Sequence, residues 1–156
     1  MVKLTIICLG NKMPNWVNEA VTIFSKRLKE FCQVQLIEIP LQKRGKVHSF
    51  KTIQDKEAEN MIKHIPNGSY VIALDINGTA MTSEQLAARV CQLQQTKPHW
   101  CLLIGGPEGI PNPVMDLVHE NWSLSNLTLP HPIARIVLFE SLYRSWTILS
   151  DHPYHK

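Results

Sequence analysis

The 156-residue sequence lacks the patterns that mark several large classes of protein. No stretch reaches the roughly 18 consecutive apolar residues that a membrane-spanning helix needs, and the first apolar run is too short for a signal peptide. The cysteines form no CxxC pair and show no metal-ligand spacing: Cys8, Cys32, Cys91 and Cys101. We therefore expect a soluble, cytoplasmic protein with reduced thiols and no bound metal.

The motifs of the common nucleotide-dependent enzymes and hydrolases are also missing. There is no GxGxxG fingerprint, no phosphate loop ending in Lys-Ser or Lys-Thr, and no GxSxG nucleophile turn. No acidic residue stands where a dinucleotide-binding fold holds the ribose. These absences argue against a Rossmann-type oxidoreductase and against a hydrolase.

Composition and charge indicate one globular domain. Hydrophobic residues make up 44% and charged residues 19% of the chain, which is ordinary for a folded protein. The length predicts a single domain over residues 1–156, large enough to bury a core without disulfides. The formal net charge of +3 permits an anionic partner without requiring one.

Apolar runs alternate with amphipathic periods along the chain. The runs predict strands at 3–9, 34–39, 69–75, 100–104 and 121–125. The periods predict helices at 15–31, 50–65, 82–95 and 133–149. This alternation predicts an α/β fold, with a mostly parallel sheet and helices on both faces. Ligands of such sheets bind beyond the carboxyl ends of the strands, where this chain has "DINGT" (75–79) and "GGPEG" (105–109).

Two loops are candidates for a ligand site. Glycine lets another group approach the main chain closely, so "GGPEG" is either a simple turn or a ligand-binding loop. The segment "LSNLTLPHP" (124–132) is apolar, yet Pro130 and Pro132 prevent regular structure in it. It is either an edge strand followed by a turn, or a segment whose main-chain groups bind the edge of an adenine.

The end of the chain offers a second group of candidates. The helix at 133–149 is apolar around almost its whole circumference, so we infer that a second copy covers it in a homodimer. Glu140 and Arg144 stand four residues apart, and their simplest interpretation is a helical ion pair. The tail "DHPYHK" (151–156) is either solvated or carries aromatic and imidazole groups that contact a base.

A basic loop, "QKRGKVHSFK" (42–51), precedes the second helix. It carries Lys43, Arg44 and Lys46 around a glycine. Such a run is usually a solvated loop, but its uniformly positive charge also suits contact with the phosphates of a nucleic acid.

Taken together, these segments resemble the RlmH family, the small SPOUT-class methyltransferases of bacterial large-subunit ribosomal RNA. The resemblance rests on "GNKMPNWV", "IEIP", "KRGK", "LDINGT", "LLIGGPEG", "WSLSNLTLPHP", "RIVLFESLYRSW" and "HPYHK", in the same order from the first strand to the last residue. It implies a SPOUT-type sheet whose cofactor-binding part, roughly 70–156, is threaded into a deep trefoil knot, working as a homodimer. It also implies methyl transfer from S-adenosylmethionine to N3 of pseudouridine 1915, in helix 69 of 23S ribosomal RNA in the assembled ribosome, without a metal.

The resemblance carries site residues over to this chain. The family's cofactor contacts match Leu74, Gly105, Leu124, Ser125, Asn126, Leu127, Thr128 and Leu129. The arginine of its last helix matches Arg144, and its tail residues match Tyr154 and His155. Arg144 is too basic to accept a proton, so we expect it to stabilise negative charge or bind phosphate. We expect His155 to be the base and Tyr154 to orient the nucleobase. The alternative is a non-catalytic module that binds RNA or ribosomes with the same fold.

Overall fold

In the computed structural model, which describes residues 1–43 and 49–156, strands and helices alternate along the chain. The strands are β1 (Val2–Leu9), β2 (Cys32–Ile39), β3 (Tyr70–Ala80), β4 (His99–Ile104) and β5 (Glu120–Ser123). The helices are α1 (Asn15–Leu28), α2 (Phe50–Ile62), α3 (Ser83–Thr96), the short α4 (Asn112–Met115) and α5 (His131–Leu149). A 3-10 turn at Pro153–His155 follows α5.

The strands form one parallel sheet in the order β2-β1-β4-β3-β5. Alternate side chains of β1 therefore point to opposite faces. Ile6 lies in the core shared with α1, α3 and α5, whereas Ile7 lies in the core shared with α2 and α4. Both side chains are fully buried. The predicted α/β architecture, with helices on both faces of the sheet, is confirmed.

Most element boundaries follow local signals in the sequence. Thr82 caps α3, and its capping box with Gln85 is complete. The expected helix at 50–65 ends earlier, at Ile62, three residues before the Ile65–Pro66 pair that disfavours helical backbone. The helix expected at 15–31 also ends earlier, at Leu28, and Phe31 closes the following turn by donating its N–H to the Leu28 carbonyl.

Strand β3 is longer than expected, and "DINGT" is therefore not a loop. Leu74 and Thr79 are both in register with Trp122 of β5, so the residues between them bulge out of the ladder. A Cβ on Gly78 would lie 2.6 Å from the carbonyl carbon of Trp122, so only glycine allows the two main chains to come this close. After the bulge, Thr79 and Ala80 of β3 pair with β5 again next to this close contact.

Helix α5 is covered on several sides within one chain. It packs against α1, α3 and β4, and its buried residues include Leu138, Phe139 and Leu142. Ile136 and Val137 stay half-exposed. None of the helices in the described ranges is long and apolar enough to cross a membrane. The homodimer and the trefoil knot stay predictions.

The contact at Gly78 gives a test of how β3 and β5 are joined. In Gly78→Ala the new methyl group would force the two strands apart, and we expect the free energy of unfolding to fall by about 2–3 kcal/mol. Chemical denaturation measures this change. The matched control is Thr79→Ala, which changes the exposed neighbouring residue. We expect its free energy of unfolding to fall by no more than about 1 kcal/mol. Equal losses in the two variants would contradict the close approach.

Candidate functional site

The carboxyl ends of β3, β4 and β5 meet at one pocket. Its cavity volume is about 90 Å³, well below the roughly 300–1,000 Å³ that is usual for small-molecule sites, so it can enclose only part of a larger ligand. Its walls are Leu74, Asp75, Ile76, Ile104, Ser123, Leu124, Ser125, Leu127, Leu129 and Ala134. Leu74 and Ile104 are register partners in neighbouring strands. Of the two segments expected to face one ligand site, "DINGT" lines this pocket through Asp75 and Ile76, whereas no residue of "GGPEG" is among its walls.

The segment after β5 forms one wall of this pocket and is not regular in structure. Ser125 shapes it: its hydroxyl accepts the N–H of Leu127 at 2.9 Å, and its carbonyl accepts the Ser123 hydroxyl at 2.9 Å. The main-chain N–H groups of Asn126, Thr128 and Leu129 make no hydrogen bond to another residue in the described part of the chain. Of these three residues, Leu129 lines the pocket, whereas Asn126 and Thr128 are not among its walls.

The glycine loop is folded back on itself beside the pocket. A Cβ on Gly105 would lie 2.3 Å from the carbonyl carbon of Gly109, and the Gly109 N–H donates to the Gly106 carbonyl at 2.9 Å. The close approach that Gly105 permits is therefore made by the loop's own main chain. Ile104 lines the pocket directly, and the binding of a ligand by Gly105 stays a prediction.

A second pocket adjoins the first and contains the charged residues of α5. It shares Ser123 and Leu124 with the first pocket, and Glu140 and Arg144 also line it. Arg144 donates from Nε at 3.0 Å and from Nη2 at 2.7 Å to Glu140 Oε1, which confirms the predicted ion pair. Nη1 of Arg144 makes no hydrogen bond to any other described residue.

Glu140 also holds the tail, which the sequence pattern did not reveal. The Tyr154 hydroxyl donates to the same Glu140 oxygen at 3.1 Å, and the Arg144 guanidinium lies 5.2 Å from the centre of the Tyr154 ring. Burial, and then the charge of Glu140, raise the pKa of Tyr154, so its hydroxyl stays a donor. The tail is therefore docked at Tyr154. The only feature of the sequence that pointed to this cluster was the i, i+4 spacing of Glu140 and Arg144.

Aromatic rings complete the packing of the tail. The Tyr154 and Tyr143 rings meet edge to face at 4.7 Å, and the guanidinium of Arg27 lies within 5.8 Å of both centroids. His152 Nδ1 accepts the Tyr154 N–H at 3.2 Å. His155 Nδ1 is buried and has no partner among the described residues. The structure thus brings Tyr154 and Arg144 together and leaves His155 beside them.

The basic loop is only partly described. Lys43 is exposed, whereas Arg44 and Lys46 lie outside the described residues. Contact between this loop and RNA stays a prediction.

Few side chains in the described ranges are suited to metal binding or to thiol chemistry. No group of three or more His, Cys, Asp or Glu side chains there could hold a metal ion. Burial raises the pKa of the Cys8, Cys32 and Cys101 thiols to about 12. These thiols stay protonated at neutral pH and act as small apolar side chains.

Comparison with known proteins identifies the family. A family model described as a predicted SPOUT methyltransferase matches residues 2–155. The ribosomal RNA large subunit methyltransferase H of Legionella pneumophila (strain Paris) is 51% identical over the full length of both chains. The chain belongs to the RlmH family of SPOUT methyltransferases. The same-named protein of Dichelobacter nodosus (strain VCS1703A) is 45% identical to this RlmH-family chain, over 98% of each.

A solved structure supports the fold assignment. The probable methylase family protein from Haemophilus influenzae Rd KW20 superposes with a TM-score of 0.55 at 14% identity, covering 98% of this chain and 70% of that chain. At that identity the likeness shows the fold alone. The SPOUT fold expected from the sequence motifs is thereby confirmed for this RlmH-family member.

The shared oxygen of Glu140 predicts how the tail is held. In Glu140→Ala, Tyr154 loses its hydroxyl acceptor and Arg144 loses its orienting partner. We expect faster amide hydrogen exchange at 154–156, measured by mass spectrometry. The free energy of unfolding should fall by less than about 1 kcal/mol, because both charged side chains are partly exposed. Glu59→Ala, an exposed site on α2, is the control. Unchanged exchange in Glu140→Ala would show that packing alone holds the tail.

Proposed function

We propose that this protein transfers a methyl group from S-adenosylmethionine to N3 of pseudouridine 1915, in helix 69 of 23S ribosomal RNA, in the assembled ribosome. The proposal depends above all on one observation: the pocket at the strand ends adjoins the pocket that contains Arg144 and Glu140. The relatives' name, ribosomal RNA large subunit methyltransferase H, supports the substrate class. The nucleotide and its context rest on the resemblance of the sequence motifs to the family.

The lining of the pocket at the strand ends suits the adenosine part of S-adenosylmethionine. Leu74, Ile104 and Leu129 offer apolar surface for an adenine ring, and the free main-chain N–H of Leu129 offers a donor for its polar edge. Asp75 adds a carboxylate that suits ribose hydroxyls or a cationic group. When bound, S-adenosylmethionine supplies a methyl carbon that its sulfonium has already activated. The protein's own residues then have to hold the base in line with that carbon.

Arg144 has the role of stabilising negative charge in this proposal. N3 of pseudouridine is a weakly acidic imide N–H, so charge develops on the base as the proton leaves. Arg144 keeps its positive charge at any physiological pH, and its Nη1 is free to bind an oxygen of the base or a phosphate. Because Glu140 fixes the other two donor atoms, the guanidinium is oriented before the base arrives.

His155 and Tyr154 act on the nucleobase from the tail. A ring nitrogen of His155 accepts the N3 proton, because a neutral imidazole carries one nitrogen with a free lone pair. Tyr154, held by Glu140 and Tyr143, orients the base by stacking or by hydrogen bonding. Both residues lie in the last turn of the chain, so the tail has to stay docked for the reaction.

Three further features belong to the same proposal. We expect a homodimer in which the partner covers the half-exposed apolar side chains of α5, such as Ile136 and Val137. We also expect residues 70–156 to form the knotted, cofactor-binding part of the single domain. The basic loop carrying Lys43, Arg44 and Lys46 would contact the phosphates of the RNA.

Binding of the methyl donor is tested by filling the pocket. In Ala134→Leu the larger side chain enters the pocket from α5, and we expect the affinity for S-adenosylmethionine to fall at least about tenfold. Isothermal calorimetry measures it. Ala88→Leu, on the exposed face of α3, should bind like the unsubstituted protein. If the unsubstituted protein gives no heat of binding, the non-catalytic RNA-binding alternative is favoured.

The role of the base is tested with His155→Ala. We expect methylation of ribosomes from a strain lacking this protein to slow by about 10²-fold or more, with unchanged affinity for S-adenosylmethionine. Mass spectrometry of the ribosomal RNA identifies both the modified nucleotide and the extent of reaction. An unchanged rate would remove His155 as the base. A methyl group found on a different nucleotide would overturn the proposed target.

A further inference from the structure

A buried charged network lies behind the glycine loop. Arg135 is 1% exposed and donates from Nη1 to Glu38 Oε2 at 2.6 Å and from Nη2 to the Gly10 carbonyl at 3.0 Å. The same Nη2 lies 2.9 Å from His131 Nε2, and His131 Nδ1 lies 2.7 Å from the Gly105 carbonyl. The network therefore connects the ends of β1, β2 and β4 to the first turns of α5.

The contacts of His131 fix which of its nitrogens carries the proton. A guanidinium can only donate hydrogen bonds, so Nε2 of His131 must accept from Arg135. The ring hydrogen is then on Nδ1, where it is donated to the Gly105 carbonyl. Burial lowers the pKa of His131 below its usual value, and the charge of Arg135 acts in the same direction against the opposing Gly105 bond. His131 is thus a neutral imidazole of one tautomer.

The bond from His131 fixes more than one atom of the glycine loop. The peptide unit is planar, so holding the Gly105 carbonyl also fixes the N–H of Gly106. Glycine has no side chain that could restrict this turn from within. Gly105 directly follows Ile104, which lines the pocket at the strand ends. The Gly106–Gly109 bond closes the loop itself, and the carbonyl at the point where the loop leaves β4 is held from outside the loop by His131.

We propose that His131 is a positioning residue for the methyl-donor site: its Nδ1–H holds the Gly105 carbonyl, and Arg135 sets the tautomer that makes this possible. The inference rests on the proposed function, in which Gly105 belongs to the binding site for S-adenosylmethionine. His131 itself does not line the pocket in the described part of the chain, so it acts through the main chain of the loop.

Two substitutions at one position separate the two contacts of the ring. The amide nitrogen of His131→Asn takes the place of Nδ1 and keeps a donor for Gly105 but loses Arg135. The longer side chain of His131→Gln reaches the place of Nε2 and keeps an acceptor for Arg135 but loses Gly105. With S-adenosylmethionine as the probe in calorimetry on the full chain, we expect His131→Asn to bind within about threefold of the unsubstituted protein. We expect His131→Gln to bind at least about tenfold more weakly.

The controls distinguish a positioning role from a general loss of stability. His64→Asn changes an imidazole whose Nδ1 contacts the Asn60 carbonyl within α2, and it should leave binding unchanged. Thermal unfolding without the donor reports the stability of each variant. Equal weakening by His131→Asn and His131→Gln, or unchanged binding by His131→Gln, overturns the positioning role while the proposed function stands. If the unsubstituted protein does not bind the donor, both proposals are wrong.

A measurement on the unsubstituted protein remains informative if either variant fails to fold. Nitrogen-15 chemical shifts of the histidine rings report the tautomer directly. We expect His131 to be neutral with its proton on Nδ1, and this proton signal to shift on addition of S-adenosylmethionine while the signals of His64 do not. A proton found on Nε2 of His131, or no shift on addition, overturns the inference.

Discussion

The guanidinium of Arg135 is buried among the strand ends, and the arrangement of the pocket depends on how its charge is satisfied. An unpaired charge at such a place costs several kcal/mol, so the surrounding groups must supply acceptors. Glu38 accepts from Nη1, and the Gly10 carbonyl and His131 accept from Nη2, while Nε has no partner among the described residues. Glu38 and Gly10 lie far from Arg135 in the sequence, whereas His131 lies one helical turn before it in α5. Together they hold the ends of β1 and β2 against α5, and through His131 they reach the end of β4.

Most of the fold could be predicted from the sequence because its signals are local. The apolar runs at 69–75 and 100–104 indicated β3 and β4, and the amphipathic period at 82–95 indicated α3. The extension of β3 to Ala80 could not be predicted, because residues 75–80, apart from Ile76, are polar or small and resemble a loop. They form a strand only through the close approach of Gly78 to the main chain of β5, some forty residues later.

Part of the candidate site could also be predicted from the sequence. Leu74 and the segment after β5 line the pocket because strand ends of one parallel sheet meet at one edge. The double role of Glu140 was not predictable. Its partner Arg144 is four residues away on the same helix, but Tyr154 reaches it only after the chain turns back at the end of α5. His131 was likewise missed, since its bond to Gly105 depends on the placement of α5 against β4.

The two adjoining pockets explain why so short a chain can serve a two-substrate reaction. Ser123 and Leu124 belong to both pockets, so a group in one is separated from the other by a single pair of residues. The rim of the first pocket is apolar and open: Leu127 is 75% exposed and Ile76 is 49% exposed. Exposed apolar side chains beside a ligand site are unfavourable unless another surface covers them. A second subunit or the nucleobase itself would provide that cover. The proposed homodimer and the proposed RNA substrate would therefore each bury the apolar side chains at the rim of this pocket.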